Sequence, residues 1–119
     1  MSTMTSMILD TSLVAELRQI EAGTGHNGLF SGCVGRLEAS VEGFRAAFAD
    51  CIRRGDATGA ARVAHTLKGA SRQLGAQALG DLFAAIERCA NAGNYAEAQR
   101  TFDSGASLIA ETLEALKRA

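Results

Sequence analysis

Three residues near the middle of the chain have the types and the spacing of a phosphoryl-accepting site. His65 is followed by Lys68 after three residues and by Gly69 after four, so on a helix all three share one face. A neutral imidazole is a nucleophile, and a nearby ammonium group stabilises a dianion bound to the ring. The spacing fits a histidine that carries a phosphoryl group, although an idle histidine on a solvated charged face has the same pattern.

Gly69 is the unusual member of this group. Glycine inside a helix costs about 0.5–1 kcal/mol relative to alanine, so an exposed helical glycine calls for a reason. The missing side chain would let another surface approach His65 closely. Arg72, seven residues after His65, adds a cation to the same face. We interpret Arg72 either as a solvated side chain or as a residue that tunes the choice of partner.

The rest of the sequence predicts an all-α protein. The 119 residues include no proline, 47 % are hydrophobic and only 5 % are aromatic. Apolar residues recur at helical spacing, and glycine-containing turns separate the repeats. We therefore predict an antiparallel up-down four-helix bundle with an additional short N-terminal helix. The predicted helices cover residues 10–22, 30–51, 56–74, 76–92 and 95–117.

The apolar stripes indicate which faces point inward. The second helix has the longest stripe, in steps of three and four: Phe30, Val34, Leu37, Val41, Phe44, Phe48 and Cys51. In the first helix we expect Leu13, Leu17 and Ile20 to face the core. In the third helix we expect a stripe of Val63, Leu67, Ala70 and Leu74, which would turn His65 towards solvent.

Composition excludes several functional classes. The net charge is −1 and both signs are mixed along the chain, which argues against nucleic-acid binding. No apolar run approaches the roughly 20 residues that cross a bilayer, and the first residues lack a secretion signal, so we expect a cytoplasmic protein that does not bind membranes. The three cysteines form no CxxC pair and predict neither a disulfide nor a zinc site. We expect one domain over residues 1–119, with disorder at about residues 1–8.

A second histidine lies in a glycine-rich segment of the chain. His26 lies within residues 23–28, which contain three glycines but lack the Gly-Lys-Ser/Thr ending of a P-loop. No cluster of cysteines or carboxylates accompanies His26, so we interpret the segment as a turn. Without an ATP-binding element, the chain is not expected to phosphorylate itself from ATP.

The region around His65 resembles a known family signature. His65, Leu67, Lys68, Gly69, Ser71, Leu74, Gly75, Ala76 and Leu79, with Ile86 and Glu87 further on, match the pattern of histidine-containing phosphotransfer (HPt) domains. The resemblance extends over most of the chain and implies an elongated four-helix bundle with an extra N-terminal helix. It implies a carrier protein in a two-component phosphorelay rather than a conventional enzyme.

The resemblance also implies roles for individual residues. His65 would accept a phosphoryl group, normally on Nε2, from the receiver-domain aspartate of a hybrid sensor kinase and pass it to a response regulator. Lys68 would steady the phosphoryl oxygens, and Gly69 would allow close docking. Further docking residues would be Arg62, Arg72, Gln73 and Gln77, and Gln73 or Gln77 would help to orient the phosphoryl group. No cofactor is expected on this chain, since Mg²⁺ would belong to the receiver, and a monomer is expected. The alternative is a non-catalytic helical adaptor for a receiver or kinase domain.

Overall fold

The computed structural model describes residues 8–25 and 28–119, and these residues are helical with no strand among them. Along this part of the chain six helices follow one another: α1 (Thr11–Thr24), α2 (Leu29–Arg53), α3 (Ala57–Gln73), α4 (Gln77–Asn91), α5 (Tyr95–Ser104) and α6 (Ala106–Arg118). None of these helices is both long enough and apolar enough to span a bilayer. His26 lies outside the described residues.

The architecture confirms the predicted helical bundle. Helix α3 packs between α2 and α4, and α4 packs in turn against α5, while α6 contacts both α2 and α4. The fourth position of the bundle is thus shared by α5 and α6. The Cα trace measures 46 × 29 × 18 Å, an elongated shape set by the 25-residue helix α2. The whole predicted stripe of α2 is buried, from Phe30 to Cys51.

The predicted last helix over residues 95–117 is two helices, because α5 ends at Ser104 and α6 begins at Ala106. The break lies at Gly105, which is buried directly against Leu82 of α4. A Cβ atom at position 105 would lie 2.6 Å from a methyl carbon of Leu82, far inside van der Waals contact. The close approach between α4 and the last segment therefore depends on glycine at this position.

The inward face predicted for the first helix is partly wrong. Val14 is buried in α1, whereas Ile20 is 57 % exposed. The reason is the attachment of α1 at its start: the backbone N–H of Asp10 donates to the carbonyl of Gly75 at 2.6 Å, in the turn between α3 and α4. The α1 segment nearest that turn packs inward, and the distal end does not.

Two constraints at this attachment require glycine at position 75. Its φ of +82° lies in the left-handed region, which glycine adopts without strain. A Cβ atom there would also lie 3.1 Å from the carbonyl oxygen of Asp10. The stretch of about residues 1–8 expected to be disordered lies outside the described residues except for Ile8, which is buried in the core.

Candidate functional site

Helix α3 is held firmly at its start and along its length. The carboxylate of Asp56 accepts a hydrogen bond from the backbone N–H of Gly59 at 2.8 Å and so caps the first turn. Most of the side chains that α3 buries are small, and Ala60 and Ala64 are completely inaccessible to solvent. Small side chains let α3 lie close to its neighbours, which gives the residues on its outer face a rigid base.

The buried stripe of α3 differs from the predicted one. Leu67 and Leu74 are buried as expected, but Val63 and Ala70 are only half-buried. The inward positions between them belong to Ala64 and Ser71, which are fully buried. Ser71 is tolerated there because its hydroxyl donates to the carbonyl of Leu67 at 2.7 Å. The inward face is thus turned by roughly 60° from the predicted one, at 100° per residue.

This rotation places His65 at the edge of α3 that faces α4. The side chain is 62 % exposed, so the prediction that it faces solvent is correct. Its Nδ1 atom lies 2.9 Å from Oε2 of Glu87 on α4. A carboxylate can only accept a hydrogen bond, so this contact requires the proton on Nδ1. In a neutral ring Nε2 then carries the free lone pair.

Lys68 contacts the other oxygen of the same carboxylate. Its Nζ atom donates to Oε1 of Glu87 at 2.7 Å. The hydrogen bond from Lys68 is the main reason why the pKa of Glu87 lies below its usual value, and the contact with His65 adds to it. Partial burial of Glu87 acts in the opposite direction and is outweighed. One ionised carboxylate therefore holds both side chains in place.

The surface beside His65 is open at Gly69. A Cβ atom added there would meet nothing within 4 Å apart from the helix itself. On α3, Arg62 precedes His65 by three residues and is exposed, with no carboxylate partner in the described part of the chain. A shallow hollow between α2 and α3 adjoins this face and includes Arg62 and Thr66 in its lining.

Arg72 is tied to α4 rather than free. Its guanidinium group lies 3.2 Å from Oδ1 of Asp81, and its aliphatic stem lies across Gly80. A Cβ atom at position 80 would be 2.6 Å from Cγ of Arg72, so glycine makes room for this side chain. Arg72 is exposed, as expected of a solvated arginine, and its guanidinium group is paired with Asp81 at the surface.

The structure does not bring the two glutamines to His65. Gln73 lies eight residues beyond His65 on the same helix, about 12 Å along the axis. It lines a different hollow, beside Leu17 and Cys33. Gln77 is the first residue of α4, beyond the Gly75 turn. Both side chains are exposed and can contact a partner protein. Neither glutamine lies next to the imidazole of His65.

Glu87 is the residue whose role the sequence did not reveal. It appeared only as part of the family resemblance, because 22 residues separate it from His65. A signal was present, however. A partly buried lysine or histidine side chain requires a hydrogen-bond acceptor. Glu87 directly follows the buried Ile86 on the neighbouring helix and can supply a carboxylate as that acceptor.

Within residues 8–25 and 28–119, no group of three or more histidine, cysteine or acidic side chains is placed to hold a metal ion. Cys33, Cys51 and Cys89 are all free thiols.

Comparison with known protein families identifies the class of this bundle. The family model described as the Hpt domain matches residues 29–119, which span α2 to the end of the chain. The chain belongs to the Hpt domain family. Its general role is phosphotransfer in two-component phosphorelays, in which Hpt domains interact with receiver domains. Comparison with curated proteins and with solved structures gives no significant match.

Proposed function

We propose that His65 is the phosphoryl-carrying residue of a phosphorelay intermediate. It would accept the phosphoryl group from a receiver-domain aspartate of a hybrid sensor kinase and pass it to the aspartate of a response regulator. The observation that carries the proposal is the contact of 2.9 Å between Nδ1 of His65 and Glu87, which turns the other ring nitrogen, Nε2, away from Glu87 on an exposed side chain.

The chemistry follows from this geometry. The Nε2 lone pair attacks the phosphorus of the aspartyl phosphate, a P–N bond forms, and the P–O bond breaks with its electron pair going to the aspartate. In the neutral ring with its proton on Nδ1, Nε2 carries a lone pair, and His65 then needs no base for this step. Catalysis is then a matter of positioning and charge, as in phosphoryl transfer in general.

Lys68 and the open surface at Gly69 support the same proposal. Lys68 lies one helical turn from His65, within reach of oxygens on a phosphoryl group at Nε2. Gly69 leaves room for the rim of a receiver above the ring. Arg62 is the exposed cation best placed to meet the acidic pocket of a receiver, since Arg72 is already paired with Asp81. Gln73 and Gln77 would serve only at the edge of the docked partner.

The proposal extends to the chain as a whole. We propose that the chain is a single carrier domain, acts as a monomer and binds neither ATP nor a cofactor, with Mg²⁺ supplied by the receiver. A cytoplasmic location is part of the proposal, since that compartment keeps thiols such as those of Cys33, Cys51 and Cys89 reduced.

The test is transfer of labelled phosphoryl group from a phosphorylated receiver domain to the purified chain. Wild type should acquire acid-labile label, and His65→Gln should acquire none while keeping the helical circular dichroism spectrum. His26→Gln is the matched control, as His26 is the other of the two histidines, and should be labelled like wild type. Equal labelling of His65→Gln and wild type would remove His65 from the reaction. Receiver binding without any label on wild type would indicate the adaptor function.

A further inference from the structure

Helices α2 and α6 leave an apolar groove between them, in a part of the bundle that the proposed function does not use. Its floor is formed by side chains of α2, α5 and α6: Val41, Phe102, Ile109 and Leu113. Phe102 and Ile109 are only half-buried, so part of their apolar surface meets solvent. Helices α3 and α6 each pack against both α2 and α4, so they occupy opposite corners of the bundle. The groove is therefore on the side opposite to the edge between α3 and α4, where His65 lies.

Two ion pairs cross the groove, one near each end. Lys117 of α6 pairs with Glu38 of α2, and Arg45 of α2 pairs with Asp103 near the end of α5. Helix α6 borders the groove from Ala106 to Lys117, roughly 16 Å along its axis at 1.5 Å per residue. That length matches an amphipathic helix of about three turns, whose apolar side chains at i, i+3 or i+4 and i+7 would follow the groove.

The rim of the groove carries an excess of negative charge. Four carboxylates and two cations border it, and both cations are already paired with carboxylates across the groove. Glu42 is exposed and has no ion-pair partner within residues 8–25 and 28–119. The pKa of Lys117 is raised, mainly by its hydrogen bond to Glu38, and the charges of Glu114 and Glu42 add to the effect. Several carboxylates thus act on one ammonium group, and a further cation brought to this rim would be attracted.

Helix α3, on the other side of the bundle, has the opposite charge. It contains Arg62, Lys68 and Arg72 and no acidic residue. The two sides of the molecule therefore favour partners of opposite sign. A second copy of this chain is a poor occupant of the groove, because a two-fold interface would bring the same acidic rim against itself.

We propose that the groove between α2 and α6 binds an amphipathic helix of a partner protein, about three turns long, with lysine or arginine on both sides of its apolar face. The apolar side chains of that helix pack on Phe102 and Ile109, and its cations meet Glu42 and Glu114. The inference goes beyond the proposed function and does not require phosphoryl transfer. Because the groove and His65 lie on opposite sides, this partner stays bound while a receiver docks at His65.

The test uses two fluorescein-labelled helical peptides of about four turns, long enough to cover the groove. Both have leucine at positions i, i+3, i+4 and i+7. One has lysine at the flanking positions, and the other has glutamate there. Binding to the full chain is measured by fluorescence anisotropy. We expect the lysine peptide to bind about tenfold or more tightly than the glutamate peptide, and to weaken as the salt concentration rises.

Two pairs of variants locate the binding site. Ala110→Arg places a long cationic side chain in the groove at an exposed position, and Ser107→Arg makes the same addition on α6 outside the groove. We expect Ala110→Arg to weaken binding of the lysine peptide about tenfold or more, and Ser107→Arg to leave it within about twofold. Glu42→Lys should also weaken binding, whereas Glu16→Lys, the same charge change at an exposed position of α1, should not. Circular dichroism checks that each variant is folded.

Equal binding of the two peptides, or binding that Ala110→Arg leaves unchanged, would overturn the inference. A dimer of wild type that Ala110→Arg dissociates would also overturn it, because a second copy would then fill the groove. Labelling of His65 by phosphoramidate, a small donor that requires no partner protein, should keep its rate with the lysine peptide bound, and a loss of labelling would contradict a separate surface. Peptide binding as expected by a wild type that never takes label would overturn the proposed function and still support the inference.

Discussion

The ammonium group of Lys68 lies 2.7 Å from Oε1 of Glu87. Glu87 therefore balances the positive charge of Lys68 in the unphosphorylated protein. The second oxygen of the same carboxylate contacts Nδ1 of His65. In the function proposed above, a phosphoryl group on Nε2 would compete with Glu87 for Lys68. The lifetime of the phosphorylated state should therefore depend on how Lys68 divides its contacts between the two anions.

Replacement of Lys68 by alanine tests this division. We expect Lys68→Ala to lose its phosphoryl group several-fold faster than wild type. The free energy of unfolding should fall by only about 1 kcal/mol, since the pair is partly exposed. Phosphoryl half-life and urea denaturation provide the two measurements. Lys117→Ala, which breaks an ion pair with Glu38 far along the chain from His65, is the control and should keep the wild-type half-life. A stability loss of several kcal/mol would instead make Lys68 a structural residue.

The open surface at Gly69 predicts a steric effect without a folding defect. Gly69→Leu should raise helix stability by about 0.5–1 kcal/mol, because leucine is the better helix former and its Cβ atom would meet nothing within 4 Å. Transfer from a receiver should slow at least tenfold, while labelling by phosphoramidate should stay near the wild-type rate.

Gly35 offers the control for this substitution. It is also helical, and a Cβ atom there also meets nothing within 4 Å, although Gly35 is exposed and Gly69 is half-buried. Gly35→Leu should show the same gain in stability and normal transfer from the receiver. If Gly69→Leu also transferred normally, the account of Gly69 as a docking gap would be wrong.

The lowered pKa of Glu87 predicts a pH-dependent contribution to stability. The hydrogen bond from Lys68 holds this pKa below 4.5, the usual value that the unfolded chain regains. The unfolded state therefore binds the proton first, and the stabilisation is fully present above pH 4.5. It is lost as pH falls through the lower pKa of the folded state.

The measurement is the free energy of unfolding of wild type and Glu87→Gln between pH 3 and pH 7. The difference between the two proteins should be constant above about pH 5 and should shrink below pH 4.5. Asp50, whose pKa is also lowered by Arg54, provides a comparison on the surface of α2. A difference between wild type and Glu87→Gln that grew on acidification would have the wrong sign for this explanation.

The contact between Gly105 and Leu82 predicts a destabilisation that a second substitution relieves. Gly105→Ala should cost about 1–2 kcal/mol, because the new methyl group overlaps the end of the Leu82 side chain. The φ of −88° at Gly105 is ordinary for alanine, so the backbone adds no strain. In a double-mutant cycle with Leu82→Ala, most of the cost of the alanine at position 105 should disappear. Purely additive effects would show that Leu82 is not the obstacle.

The helices differ in how much of them the sequence predicts. Helix α2 was fully predictable, because a single stripe of large apolar side chains leaves only one face to bury. The break at Gly105 was not, since glycines at positions 35 and 69 remain inside continuous helices. What distinguishes Gly105 is Leu82 on another helix, a tertiary contact that periodicity does not contain.

The site shows the same limit. The types and spacing of His65, Lys68 and Gly69 could be recognised from the chain, because all three lie within a little over one turn of one helix. The place of Glu87 depended on the rotation of α3 about its axis. Ala64 and Ser71 are small residues that give only a weak indication of an inward face. The inward face was therefore predicted to run through Val63 and Ala70, which are only half-buried in the structure.

Helix α2 has one further consequence. It buries the same face from Phe30 to Cys51, and three aromatic rings, those of Phe44, Phe48 and Phe83, are fully enclosed against one another. Rings enclosed in this way resist rearrangement of the helices around them, because a shift of one helix would open voids in the core. In the proposed function the signal would then be the phosphoryl group itself, bound and released at the surface of a rigid bundle. Signal transfer would not require a conformational change of the bundle.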